Sequence, residues 1–212
     1  MKKLLVVGDS YMSQDKRFPG GHWSEMTEGY EVINAAQPGS SNAMVALALL
    51  DNLEKYPDIH SVVIGGTSFL RVEFKNHNDS PGEPIYYTGN HAHLTTPEQK
   101  KIVNDSLLKL PHEFKFLNSF LLFIGLLSIL EAKGIKFAFS LGLLEKTSQG
   151  IDPQILKYSW ILERFNKYQV QLTLVDKPYN DKDPLFHIAD QNIQKQFANE
   201  VMEILNRQTL DK

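Results

Sequence analysis

The sequence predicts an α/β protein in which helices cover both faces of a parallel β-sheet. Short, nearly continuous apolar runs alternate along the chain with longer segments of helical periodicity. Glycine or proline lies close behind several of these runs, as expected where a buried strand ends. Because strands that are apolar on both faces are typical of the centre of a parallel sheet, the alternation favours that arrangement.

Five strands are predicted, at residues 3–7, 30–35, 61–64, 135–139 and 171–175. Helices are predicted at 42–56, across 95–133 with a buried stretch at 116–130, at 153–168 and at 188–206. Gly134 is expected to end the second of these helical regions. Trp23 is expected in the core, as are four aromatic residues, Phe114, Phe116, Phe120 and Phe123. The order of elements fits a flavodoxin-like three-layer sandwich with a five-stranded parallel sheet of order 2-1-3-4-5.

Composition narrows the classes of function. The chain has 212 residues, of which 42% are hydrophobic and 22% charged, which predicts one domain spanning 1–212. Its formal net charge of -3 does not favour a nucleic-acid partner. The absence of cysteine excludes disulfides, thiolate metal sites and a cysteine nucleophile.

The apolar runs are too short for a leader peptide or a membrane span. The first ends at Asp9, and the run 116–130 is shorter than a bilayer-spanning helix. The expectation is therefore a cytoplasmic protein with no membrane partner. Its oligomeric state is not indicated.

The segment 69–95 is polar and is predicted to be a loop. So long a loop is uncommon in a compact domain and is typical of a lid or a binding segment. Because it follows the third strand, we expect it to lie beside the crevice at the carboxyl end of the sheet. His91 and His93 within it have no evident third ligand, so no metal or other cofactor is expected.

Polar residues follow four of the predicted strands. Carboxyl ends of parallel strands meet at one edge of a sheet, and ligands bind there, near the point where strand order reverses. A nucleophile, a base, an acid and hydrogen-bond donors at one such edge are what acyl transfer requires. The residues concerned are Ser10 after the first strand, Gly39 and Ser40 after the second, Gly66, Thr67 and Ser68 after the third, and Asp181, Asp183 and His187 after the fifth.

Gly8-Asp9-Ser10, directly after the first strand, resembles the first sequence block of the SGNH (GDSL) hydrolases. Gly39 resembles the glycine of the second block, and Gly66-Thr67-Ser68 stands at the position of the third block. The segment 183–187 resembles the fifth block. The resemblance runs in matching order from residue 4 to about 200. The stretch 64–73 also resembles divergent SGNH-like proteins of phages, which makes a virion-associated location the alternative to a cytoplasmic one.

The resemblance implies a serine esterase or deacetylase that acts on a small acyl ester of a small molecule or glycan. Ser10 would be the nucleophile, His187 the base and Asp183 the acid that orients it. The oxyanion hole would comprise the amides of Ser10 and Gly39 with the side chain of Ser68. The remaining crevice residues, Thr67 and Arg71, are candidates for substrate binding.

Two departures from the family pattern favour an alternative. Ser68 stands where the family has asparagine, and a serine hydroxyl reaches less far than an amide. The acid of the family lies three residues before the histidine, where this chain has Pro184, and Asp183 lies one residue further away. Asp181 is the fallback acid. The alternative function is a catalytically weak SGNH-like binding or structural module.

Ordinary structural roles compete with several of these assignments. Ser10 could cap a helix, His187 could be a surface histidine, and Pro38-Gly39 is a turn signal in its own right. Asn42 is expected to cap the helix that follows it. Arg71 could pair with Glu73 rather than bind substrate.

Overall fold

A parallel β-sheet lies at the centre of the molecule. The structure, a computed structural model, describes residues 1–14, 19–67, 72–75, 84–87, 97, 101, 112–141, 146–147, 150–151, 159–172, 174 and 190–208. The sheet consists of β1 (Lys2–Val7), β2 (Tyr30–Asn34), β3 (Ile59–Gly65) and β6 (Lys136–Ser140), in the order β2-β1-β3-β6. All three pairings are parallel, which confirms the α/β class and the order of the first four predicted strands.

Helices pack on this sheet. They are α1 (Asn42–Lys55), α2 (His112–Ala132) and α3 (Gln191–Arg207), with 3₁₀ helices at Trp23–Met26 and Ser159–Tyr168. Gly134, with φ of +66°, follows the end of α2 as predicted. None of the helices in the described ranges combines the length and the apolar character that a membrane span requires.

Part of the segment 69–95 is not a loop. Its described residues form an antiparallel pair of strands, β4 (Val72–Lys75) and β5 (Pro84–Tyr87). The sequences VEFK and PIYY are rich in β-branched and aromatic residues, which favour strands over the loop that the surrounding polar residues predicted. A second, two-residue pair joins β7 (Lys146–Thr147) to β8 (Gly150–Ile151). The expected place of the segment beside the crevice stays a prediction.

Side chains of β1 alternate between two apolar layers, as a strand covered on both faces requires. Leu5 and Val7 pack with α1 and α2, whereas Leu4 and Val6 pack with α3 and with Trp23. Fully burying such a side chain contributes about 1.5–3 kcal/mol, so these two layers hold the sheet between the helices. The three-layer arrangement is confirmed by this division.

Of the aromatic residues that were predicted to lie in the core, some are buried and one is exposed. Trp23 is 0% exposed, and Phe120 and Phe123 on α2 are buried, as expected. Phe114 is 57% exposed, so its assignment to the core was wrong. It lies in the first turn of α2, outside the part of the helix that packs on the sheet. The side chain of Phe116 lies outside the described residues.

The prediction of a five-stranded parallel sheet is corrected, because this sheet has four strands in the part of the chain that the structure describes. Just before the expected fifth strand at 171–175, Gln169 forms a single parallel bridge with Phe139, and the Val170 N–H donates to the Phe139 carbonyl at 2.8 Å. The strand pairing does not continue into the described residues that follow.

Side chains satisfy the backbone groups that a fifth strand would use. The Glu200 carboxylate of α3 accepts from the N–H groups of Gln171 and Leu172, at 2.6 and 3.1 Å. Gln208 pairs with both backbone groups of Phe137 on β6, accepting from its N–H at 3.0 Å and donating to its carbonyl at 2.7 Å. These contacts divert the chain from β6 and cover one end of its edge.

Candidate active site

Ser10 lies in a tight turn directly after β1, here called the Ser10 turn (residues 8–12). The Met12 N–H donates to the Asp9 carbonyl at 3.1 Å, and the Tyr11 N–H donates to Asp9 Oδ1 at 3.0 Å. An aspartate side chain that accepts from the backbone two residues on is a standard way to fix a turn. The side chain of Ser10 is half-buried at the carboxyl end of the sheet. Ser10 therefore follows the strand on a turn and does not begin a helix in the described residues.

Gly8 brings the turns after β1 and β2 together. A Cβ atom on Gly8 would lie 2.5 Å from Met12 Cγ and 3.1 Å from the Gly65 carbonyl oxygen, so only glycine fits without rearrangement. The Gly8 carbonyl accepts from the Gln37 N–H at 3.1 Å. The loop after β2 is thereby held against the Ser10 turn.

Gly39 occupies the position of a turn that requires a left-handed backbone. The Ser40 N–H donates to the Gln37 carbonyl at 3.2 Å, and Gly39 has φ of +83°. Proline followed by a residue of positive φ is the signature of a type II turn, so the turn expected from Pro38-Gly39 is found. Gly39 is half-buried on this turn.

The N–H groups of Ser10 and Gly39 are the two amide donors that an oxyanion hole would use. Among the hydrogen bonds formed within the described part of the chain, none uses either N–H. Both amides lie on turns held together through the Gly8 carbonyl and Gln37. Fixed donors without an internal partner are what stabilisation of a developing oxyanion needs.

Thr67 follows β3 and is buried, with 1% of its surface exposed. Its hydroxyl donates to Asp9 Oδ2 at 3.0 Å. Its N–H donates to Asn42 Oδ1 at 2.9 Å, and its carbonyl accepts from Asn42 Nδ2 at 3.1 Å. The polar groups of Thr67 are thus engaged inside the protein, next to the Ser10 turn.

Asn42 does not cap α1, and that expectation was wrong. The cap is Ser41, whose Oγ accepts from the Met44 N–H at 3.3 Å and whose extended backbone is typical of the position. Asn42 is the first helical residue, so its side chain is available to reach Thr67 and also to donate to Ser119 Oγ on α2 at 3.2 Å.

Two further side chains, which no sequence motif assigned to the site, hold carbonyls of the Ser10 turn. Asn34 Nδ2 donates to the Met12 carbonyl at 2.8 Å, and His22 Nε2 lies 3.4 Å from the Tyr11 carbonyl. His22 Nδ1 accepts from the Ser24 N–H at 3.2 Å, which places the ring proton on Nε2. Burial lowers the pKa of His22 to about 4, so the ring is neutral at pH 7.

A sequence signal for His22 does exist. His22 and Glu25 have the spacing of a capping box, and the Glu25 carboxylate accepts from the His22 N–H at 3.1 Å. This box begins the first 3₁₀ helix. It explains why the ring of His22 is held in one place beside the Ser10 turn.

The structure places Ser10, Gly39 and Thr67 together at the carboxyl ends of β1, β2 and β3. The other predicted site residues, which are Ser68, Arg71, Asp181, Asp183 and His187, lie outside the described residues. The triad, the oxyanion hole and the substrate-binding roles of Thr67 and Arg71 stay predictions. Over the ranges that the structure describes, no group of three histidine, aspartate or glutamate side chains is placed to hold a metal ion.

Comparison with known proteins finds similarity at the level of structure alone. No protein-family model and no curated protein matches the sequence. The esterase EstA from Pseudoalteromonas sp., in a structure inhibited by monoethylphosphonate, has a TM-score of 0.56 at 13% identity, over 98% of both chains.

Two further solved structures align over nearly the whole chain. TesA has a TM-score of 0.53 at 15% identity, over 96% of this chain and 98% of its own. The acetyl xylan esterase AlAXEase has a TM-score of 0.52 at 13% identity, over 95% and 98%. At such identities the likeness is one of fold. The chain therefore has the α/β fold of the SGNH (GDSL) esterases, the family that its sequence resembles.

Proposed function

We propose that this protein is a serine ester hydrolase that uses Ser10 to transfer a small acyl group to water. The observation that carries the proposal is the position of Ser10. It lies on a fixed turn at the carboxyl end of β1, where strand order reverses between β1 and β3. The crevice at such a reversal is where open α/β sheets bind their ligands.

The chemistry follows from that position. Ser10 Oγ attacks the ester carbonyl while its proton passes to His187, and the oxyanion that forms accepts from the N–H groups of Ser10 and Gly39. His187 then protonates the departing alcohol, and water hydrolyses the acyl-serine by the same route. Asp183 orients His187. The roles of His187 and Asp183 are carried over from the family resemblance.

The remaining residues of the site have unequal roles in this proposal. Ser68 supplies the third oxyanion donor from a hydroxyl that is shorter than the asparagine side chain of the family. Loss of one good donor costs about 3–4 kcal/mol of transition-state stabilisation, so we expect slow turnover. Arg71 contacts substrate. Thr67 supports the turn that carries Ser10, because its hydroxyl and both backbone polar groups form hydrogen bonds within the protein.

The proposed substrate is an ester of a short acyl group, such as acetate, on a small molecule or a glycan. Support comes from the acetyl xylan esterase that shares the fold. We propose that the whole chain, residues 1–212, forms one such domain.

Hydrolysis of p-nitrophenyl acetate tests the proposal. The wild type should release p-nitrophenol faster than buffer, and Ser10→Ala should abolish the difference. Ser13→Ala is the matched control, because Ser13 is a half-buried serine in the adjoining turn. Equal rates for the wild type and Ser10→Ala would contradict the proposal. A folded wild type that binds acetylated oligosaccharides without turnover would instead support the binding module that Ser68 and Pro184 favour.

A further inference from the structure

A continuous set of hydrogen bonds links α2 to the Ser10 turn. Asn42 Nδ2 donates to Ser119 Oγ at 3.2 Å and to the Thr67 carbonyl at 3.1 Å. The Thr67 hydroxyl donates to Asp9 Oδ2, and Asp9 Oδ1 accepts from the Tyr11 N–H. The path thus crosses from α2 through α1 and the end of β3 to the residue that follows Ser10.

Asn42 forms hydrogen bonds with the backbone of Thr67 just beyond the point where β3 stops pairing with β6. Pairing of β3 with β6 ends at Gly65, and the Gly66 N–H makes one more bond, of 2.7 Å, to the Ser140 carbonyl. Beyond that point the Asn42 amide pairs with both the N–H and the carbonyl of Thr67, as a neighbouring strand would. Asn42 is buried, so these bonds are shielded from water.

The space that the described residues leave beside this amide is small. The cavity lined by Asn42, Thr67 and Ser119 measures about 10 Å³, which is room for one water molecule at most. The contacts of Asn42 with described residues therefore give it a supporting place in the fold.

We propose that Asn42 is a positioning residue of the active site. It holds Thr67 so that the Thr67 hydroxyl stays on Asp9, and Asp9 in turn fixes the turn that carries Ser10. The expected effect of Asn42 on turnover rests on the proposed function, whereas its role in holding the Ser10 turn is independent of that function.

Asn42→Ala is compared with Asn52→Ala. Asn52 is the matched control, because it lies on the same helix and its Nδ2 donates to the Ala48 carbonyl at 2.7 Å. We expect kcat of Asn42→Ala to fall about 10-fold with KM changed by less than about 2-fold, since the lost bonds shape the turn and not the substrate pocket. Asn52→Ala should leave both constants unchanged. If Asn42→Ala fails to fold, Asn42→Ser takes its place.

Amide hydrogen exchange gives a readout that does not depend on turnover. The Thr67 and Tyr11 N–H groups should both exchange faster in Asn42→Ala than in Asn52→Ala. The Thr67 N–H donates to Asn42 itself, and the Tyr11 N–H donates to the Asp9 carboxylate that Thr67 holds. Faster exchange at Thr67 with unchanged exchange at Tyr11 would overturn the proposal.

A double variant tests whether the two residues act in series. The kcat of Asn42→Ala/Thr67→Val should fall no further than that of the worse single variant. Losses that multiply would overturn the proposal, because they would show independent actions. A wild type without esterase activity would refute the proposed function, and the exchange result would then decide the positioning role.

Discussion

The hydroxyl of Thr67 donates a 3.0 Å hydrogen bond to the buried carboxylate of Asp9 and so ties the end of β3 to the Ser10 turn. A carboxylate out of contact with water is costly unless donors surround it. Asp9 is 1% exposed and also accepts from the Tyr11 N–H. The aspartate of Gly8-Asp9-Ser10 is therefore a structural link between two strands that flank the crevice.

Removing that hydroxyl should destabilise the fold. Thr67→Val keeps the shape of the side chain but takes one donor from Asp9, and we expect the free energy of unfolding to fall by about 1.5–3 kcal/mol. Thr27→Val is the control, because the buried Thr27 hydroxyl donates to the uncharged Ser24 carbonyl at 2.7 Å and should cost about 1 kcal/mol. Urea denaturation measures both. Equal losses would contradict a special role for the carboxylate.

Gly39→Ala should impair both stability and turnover. A side chain at φ of +83° costs about 1–2 kcal/mol, and relief of that strain would move the Gly39 N–H. Gly29→Ala is matched, since Gly29 has φ of +81°, equally open surroundings and a place just before β2, at the other end of the sheet. Both variants should lose similar stability in denaturant, whereas only Gly39→Ala should lose kcat. Unchanged turnover in Gly39→Ala would remove Gly39 from the oxyanion hole.

His22 should make stability depend on pH. Its pKa is about 4 in the folded chain and 6.5 ordinarily, so between these values the unfolded chain binds a proton that the folded ring does not. Stability from this group is fully present above pH 6.5 and falls as the pH is lowered, by about 1.4 kcal/mol per pH unit and about 3 kcal/mol in all.

His22→Asn isolates that effect, because asparagine is also a good N-cap but does not titrate. Urea denaturation at pH 7 and pH 5 should show a smaller loss of stability for His22→Asn than for the wild type. An identical loss in the two proteins would show that another group is responsible.

The acid of the proposed triad is tested by two neighbouring aspartates. Asp183→Asn should lower kcat by about 10³–10⁴-fold, because an amide no longer fixes the histidine tautomer that accepts the serine proton. Asp181→Asn should leave kcat unchanged. If only Asp181→Asn is impaired, the fallback acid is the correct one. If neither variant is impaired, the site works as a dyad of Ser10 and His187.

The sequence predicted the four central strands because each is an apolar run closed by a polar or glycine-containing turn. It did not predict that the fifth strand would be cut short, because the diversion depends on where Glu200 and Gln208 come to lie after folding. No local pattern records such a contact between distant segments. The same reason explains why the exposure of Phe114 was not predicted, since that exposure depends on how α2 packs on the sheet.

In the candidate site, too, the sequence predicted features that depend on local pattern and missed those that depend on contacts between distant segments. The places of Ser10 and Gly39 followed from local turn chemistry and from strand order. The roles of Asn34, Asn42 and His22 did not, because each bonds backbone groups of a distant segment. A polar residue next to a helix start suggests a cap, and only the neighbouring Ser41 reveals that Asn42 is not needed for it.

Reaction with an ethyl phosphonate that carries a p-nitrophenyl leaving group tests directly whether Ser10 is the nucleophile. Attack of Ser10 Oγ on phosphorus would expel p-nitrophenolate from the reagent and leave a stable serine phosphonate ester. Mass spectrometry should find one adduct per chain, on the tryptic peptide 4–16 at Ser10. The adduct should persist in Ser13→Ala and disappear in Ser10→Ala. No adduct on the wild type, or equal labelling of Ser10→Ala, would show that Ser10 is not the nucleophile.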